Sequence, residues 1–167
     1  MQNILLSPHF ELREFVVSQK ARDHGLDNTP PVEAIENLRA LCIHTLEPLR
    51  NALGLPIVVT SGYRTKALNR LLVYHSNKSQ HMNGEAADFY VGWNGPKENV
   101  PSRRELLIKA FRQIITDDSI ASDQCIIYPS FIHVSYVRNG KNRSKLIRGL
   151  GNGKYAALTR TQALALI

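Results

Sequence analysis

The 167-residue chain is 43% hydrophobic and 21% charged, the balance of a globular protein whose length fits one domain with an ordinary core. No apolar run approaches the roughly 18 residues of a membrane span. The start, "MQNILLSPHFELREF", has neither a basic lead nor a cleavage site, so no secretory signal is expected and the protein reads as cytoplasmic as made. The net charge of +7 is uneven: Arg138, Lys141, Arg143, Lys145, Arg148, Lys154 and Arg160 fall after residue 136 with no acid among them, and the body before them is neutral.

"SPHFELREFVVSQKARDHGL" opens on a Ser-Pro turn and continues as a short helical pattern, an N-terminal wrap with Phe10, Phe15, Val16 and Leu26 as packing residues. The clearest helix follows. Asn28 or Thr29 is its candidate cap, and Val32, Ile35, Leu38, Leu41, Cys42, Leu46, Leu49 and Leu53 recur at helical spacing up to Gly54 and Pro56. Pro48 predicts a kink or break near Thr45. "PIVVTSGYRT" reads as a buried strand ending at Ser61-Gly62, "KALNRLLVYHSNKS" as a short helix and polar loop, and "AADFYVGW" as a second core strand. "RRELLIKAFRQIIT" is an amphipathic helix with Ser102 as its cap, and "QCIIYPSFIHVSYV" holds two short strands around Pro129-Ser130. Cys42 and Cys125 sit among apolar neighbours, as core thiols do. Without regular βαβ alternation, the fold class is α+β, a small antiparallel sheet with flanking helices. The domain reading is a body of residues 1–136 and a basic C-terminal extension, 137–167. That extension is either a solvated arm or a salt-sensitive hold on an anionic polymer. No nucleic-acid motif accompanies its charges, so no specific nucleic acid is expected.

"SQHMNGEAADF" (79–89) places His81 and Asp88 around small residues, Gly84, Ala86 and Ala87, which allow a tight turn back. With His133 in the later hairpin they offer three metal-capable ligands, the usual protein share of a hydrolytic zinc site. Spacing alone also fits a surface polar loop and a core histidine between Ile132 and Val134. Asp88, between Ala87 and Phe89 in an apolar strand, asks for a cation or hydrogen-bond partners.

"SGYRT" (61–65), Asn69, "SQHMNGEAADF" and "FIHVSY" (131–136) resemble the successive motifs of the zinc D-alanyl-D-alanine carboxypeptidases and murein endopeptidases. That family shares the hedgehog/DD-peptidase fold. The chain is similar in particular to a phage and bacterial branch, from about residue 7 to 136, and the tail is not covered. The resemblance implies Zn2+ held by His81, Asp88 and His133, with peptidoglycan peptide as substrate and delivery to the wall by release or a phage-type route. It puts Arg64 against the substrate or as a brace, and Ser79 before the first ligand. A guanidinium there suits a peptide carboxylate; the plainer role is a structural tie. Tyr136 is a candidate donor to a tetrahedral intermediate or a sheet aromatic. Two imidazoles and a carboxylate also suit iron. Where several relatives carry an acid, three residues before the last histidine, this chain has Ser130. Asp123, ten residues before His133, is then the candidate general base, and His75 the one further histidine near the motif. A zinc-holding module that binds peptidoglycan without cutting it is the alternative. The motifs leave carboxypeptidase or endopeptidase action, and oligomeric state, open.

Overall fold

The N-terminal wrap keeps its Ser-Pro turn, which is the tip of a two-stranded hairpin ahead of the helical stretch. In the computed structural model, which describes residues 4–166, β1 (Leu5–Ser7) and β2 (Phe10–Glu11) precede two short helices, α1 (Leu12–Val16) and α2 (Gln19–Asp23). Residues 1–3, where the reading for a signal peptide starts, and Ile167, the last of the tail, lie outside the described residues. Phe10 and Phe15 meet edge to face with centroids 6.1 Å apart and are fully buried, while Leu26 is only half-buried.

The long apolar helix runs as α3 (Val32–Leu41), a π-turn at Cys42–Leu46, and α4 (Glu47–Leu53). The π-turn is how the helix absorbs Pro48, which has no N–H for the His44 carbonyl one turn back. That carbonyl accepts instead from Ala121 N–H at 3.0 Å, and Thr45 Oγ1 donates to Ala121 O at 2.5 Å. The chain's break is thus a docking point for the segment leading to Asp123. Two expectations change at the helix start. Neither Asn28 nor Thr29 caps it, since Pro31 holds the cap position without a side-chain bond, and Val32 points to solvent at 76% exposure. Asn28 is used elsewhere: its amide donates to Val16 O and Tyr63 O, and its oxygen accepts from Thr65 N–H. It therefore ties the N-terminal wrap to the loop after the next strand.

That strand is β3 (Ile57–Ser61), followed by α5 (Lys66–Arg70), a 3-10 turn at Gln80–Asn83, β4 (Ala86–Val91) and a second 3-10 turn at Lys97–Asn99. Then come α6 (Arg103–Thr116), β5 (Gln124–Ile127), β6 (Ile132–Ser135), β7 (Lys145–Gly151), β8 (Lys154–Leu158) and α7 (Arg160–Ala165). Ser102 caps α6 as expected, in a reciprocal box with Glu105. Six strands form one sheet in the order β3-β4-β6-β5-β7-β8. The fold is mixed α+β, and the sheet is antiparallel except where β7 pairs parallel to β5. One face, carrying Ala87, Phe89, Cys125, Ile127, Ile132 and Val134, packs in a single core with the apolar stripes of α3, α4 and α6; each fully buried leucine or phenylalanine there contributes about 1.5–3 kcal/mol.

The stretch after Tyr136 is not a solvated arm. It adds two strands to the main sheet and a helix whose Ala163 is fully buried, with Leu146, Leu158 and Leu164 packed on the core. Its seven cationic side chains are exposed.

Candidate metal centre

The opposite face of the sheet holds the chemistry. Strand alternation that sends Ala87 and Phe89 into the core turns Asp88 outward, and the β4–β6 register sets Asp88 directly across from His133. His81 arrives from the 3-10 turn, which ends at Gly84 with φ +72°. A Cβ at Gly84 would lie 2.3 Å from the Ala34 carbonyl oxygen, so the turn presses on α3 where only glycine fits. Asn37 adds a bond from its amide to Asn83 O at 2.9 Å. The small residues thus do bring His81 back beside Asp88.

The three candidate ligand atoms form a triangle. His81 Nε2 lies 3.3 Å from Asp88 Oδ1 and 3.2 Å from His133 Nδ1, and His133 Nδ1 lies 2.8 Å from Asp88 Oδ1. Ligands at ~2.0–2.1 Å around tetrahedral zinc stand ~3.3 Å apart, so the two edges from His81 fit, while the His133–Asp88 edge is at hydrogen-bond distance and shorter than that spacing. The tautomer of His81 fits as well. Its Nδ1 is 2.6 Å from the Gly62 carbonyl, which can only accept, so Nδ1 carries the hydrogen and Nε2 keeps its lone pair for a metal. Gly62 is needed for this: a Cβ there would sit 2.6 Å from Phe15. Arg64 N–H returns a bond to His81 O at 3.1 Å.

Electrostatics agree with a cation site. Burial alone would raise the Asp88 carboxyl, but the adjoining His81 and His133 imidazoles hold it well below the usual carboxylate range. Burial pushes the His81 imidazole down against the pull of Asp88, which favours the neutral ring that ligates metals. Asp88 and both histidines form a group able to hold a metal ion.

The Peptidase M15 family model matches residues 8–135. The chain belongs to the peptidase M15 family. Members are zinc-dependent metallopeptidases, so the substrate is a peptide and the His-Asp-His triangle is compatible with their metal. No curated protein matches the chain. Among the described residues no helix of this M15 peptidase is long and apolar enough to cross a membrane.

A cleft of about 770 Å³ opens over the triangle. Arg64 lines it with only 15% of its side chain exposed, Nη1 bonded to Ser61 Oγ at 3.0 Å and 3.8 Å from Asp88 Oδ2. It pairs with the Asp88 carboxylate. Ser79 also lines the cleft, accepting from Arg64 Nη2 at 3.4 Å, and makes no cap bond to its own turn. Asp123 reaches the same cleft, but its carboxylate is taken. Arg143 donates from its backbone N, Nε and Nη2, and Gln80 donates from Nε2 at 3.0 Å. The Arg143 guanidinium holds Asp123, at 1% exposure, below the usual carboxylate range. Tyr136 is not brought to the cleft: its ring stacks on His44 at 4.8 Å and its N–H donates to Glu85 O. Ser130 does not line the cleft either. His75 does, with Nδ1 against Leu72 O at 2.9 Å and no bond to Nε2 among the described residues.

Sequence reasoning missed Tyr128. It lies on the cleft beyond Ile126, stacked on Phe131 with centroids 4.3 Å apart, and alternation along β5 is the signal that could have found it. Gln80, beside the first ligand, was missed for want of any pattern.

Proposed function

We propose that this M15 peptidase is a zinc enzyme that hydrolyses peptidoglycan stem or cross-link peptides at a bond next to a D-amino acid. The observation that supports it best is the triangle of His81, Asp88 and His133, with the His81 tautomer set by Gly62. Three protein ligands leave a position open, as in catalytic rather than structural zinc sites. Zinc bound there supplies a Lewis acid to polarise the scissile carbonyl and brings the pKa of water toward neutrality.

The chain's own side chains do the rest. Arg64 orients Asp88 and offers a guanidinium edge to a peptide carboxylate, and Ser79 fixes the Arg64 fork. A general base has to take the proton of the attacking water and return it to the leaving amine. Asp123 fills that role only by giving up a bond to Arg143 or Gln80; in the reading we prefer, it holds those two residues. His75 then takes the proton, because it lines the cleft with its Nδ1–H fixed on Leu72 O and no bond to Nε2 among the described residues. A non-cutting, zinc-holding module is the second reading, favoured by Ser130 where the acid is expected and by the engagement of Asp123.

Zinc-loaded protein incubated with purified peptidoglycan separates them. Release of D-alanine or cleaved stem peptides by wild type, lost in His133→Ala, supports hydrolysis. Bound zinc with no release from any wall type supports the module.

A further inference from the structure

Residues 137–158 lie beyond the stretch that matches the M15 family, yet they close the metal cleft on one side. Their seat is built in. Lys145 N–H donates to Asp123 O, Ser144 N–H to Ser122 O, and β7 then runs parallel beside β5 with Ile126 opposite Ile147. That register carries the face of Asp88 and His133 onward through Ile126 to Ile147, so metal site and added strands share one floor. Asn142 closes the preceding loop with bonds to both Val137 N–H and Val137 O.

At the outer end of this floor Gly149 pairs with Tyr155. A Cβ at Gly149 would be 2.3 Å from the Tyr128 ring, so the glycine is the space in which that ring lies. Tyr128 crosses it to reach Tyr155, hydroxyl to hydroxyl at 3.3 Å, ring edge to ring face at 6.4 Å. Tyr155 is held in place by Tyr128 and remains 53% exposed on the cleft among the described residues, an open aromatic surface. The two acids of the cleft already have cations: Asp88 has Arg64, and Asp123 has Arg143. Lys78 and Lys141 stand exposed on the rim with no acidic partner among the described residues. The cleft is therefore cationic before any metal charge is counted.

We propose that this C-terminal wall recognises the ligand, with Tyr155 and Lys141 contacting a peptide that bears a free carboxylate. The proposal rests on the hydrolase reading only for the choice of peptide. Tyr155 supplies a preorganised apolar surface, which costs little to immobilise, and Lys141 supplies a point charge to the carboxylate.

The test uses calorimetry on zinc-loaded protein with a phosphinate isostere of a D-alanyl-D-alanine peptide, prepared as the C-terminal acid and as the C-terminal amide. Wild type should bind the acid more tightly than the amide. Lys141→Glu should weaken the acid about tenfold and leave the amide unchanged, and Tyr155→Ala should weaken both about fivefold. Equal binding by wild type and both variants would overturn the proposal, as would no binding by wild type. Preference for a DNA oligomer, lost in the same variants, would overturn it in favour of a polyanion surface. Turnover of purified peptidoglycan by the same wild-type preparation judges the hydrolase reading separately, whatever the isostere does.

Discussion

Replacing Asp123 with asparagine separates a carboxylate that moves a proton from one that holds a loop. The carboxylate accepts four hydrogen bonds, one from Gln80 and three from Arg143. An amide keeps a single accepting oxygen, so two donors meet an NH2 group and the other two lose charge assistance. Bonds to a charged group contribute about 1.5–3 kcal/mol each and neutral ones about 0.5–1.5. Arg143 is 47% exposed and regains water when released, which puts the net cost at about 3 kcal/mol, the lower end for breaking a buried ion pair. Because Arg143 lowers the folded-state pKa of Asp123, its contribution is fully present above the unfolded value of about 3.9 and is lost as pH falls through the folded value. Urea denaturation should show a constant gap between wild type and Asp123→Asn from pH 7 to about 5 that closes below about 4. Gln80 precedes His81, so zinc affinity should fall roughly 10–100-fold, with turnover at saturating zinc within about tenfold of wild type. Unchanged stability and zinc binding with turnover down about 10²–10⁴-fold would refute this and make Asp123 the base.

Three other substitutions test separate parts of the account. His75→Ala should lower turnover by about 10²-fold or more with zinc content and unfolding midpoint unchanged; full activity would remove it from the mechanism. Gly84→Ala incurs about 1–2 kcal/mol for the left-handed backbone and drives a methyl into Ala34 O. We expect a total near 3 kcal/mol in urea denaturation and weaker zinc binding by calorimetry; a neutral result would mean the His81 turn does not need its close seat on α3. Ser102→Ala removes the α6 cap and should cost about 1 kcal/mol while leaving turnover as it was.

The candidate ligands were legible because each has a local sign. Asp88 is an acid in an apolar strand, His81 precedes a glycine that a tight turn requires, and His133 alternates with Ile132 and Val134. The α6 helix and its cap, and most of the core face of α3 and α4, could likewise be read from spacing. What was hidden depends on partners distant in the chain. Asn28 has the chemistry of a cap, but tertiary bonds to Val16 and Tyr63 take its side chain. The π-turn needs Ala121 to serve the carbonyl that Pro48 leaves open. The tail resembles a solvated arm in composition because its cations all face out, while the parallel pairing of β7 with β5 leaves no local trace. Tyr136 looked like a site residue from its place after His133, but its ring stacks on His44 away from the cleft. Asp123 has the right type and nearly the right place for a base. Only Arg143, twenty residues later, reveals that it is engaged.

The central claim is that His81, Asp88 and His133 hold one zinc ion. The most direct measurement is elemental analysis of the purified protein beside His133→Ala, with circular dichroism on both to verify the fold. The account predicts about one zinc per chain in wild type and almost none in a folded variant. A wild type that binds no metal, or a folded variant that keeps its zinc, would contradict it.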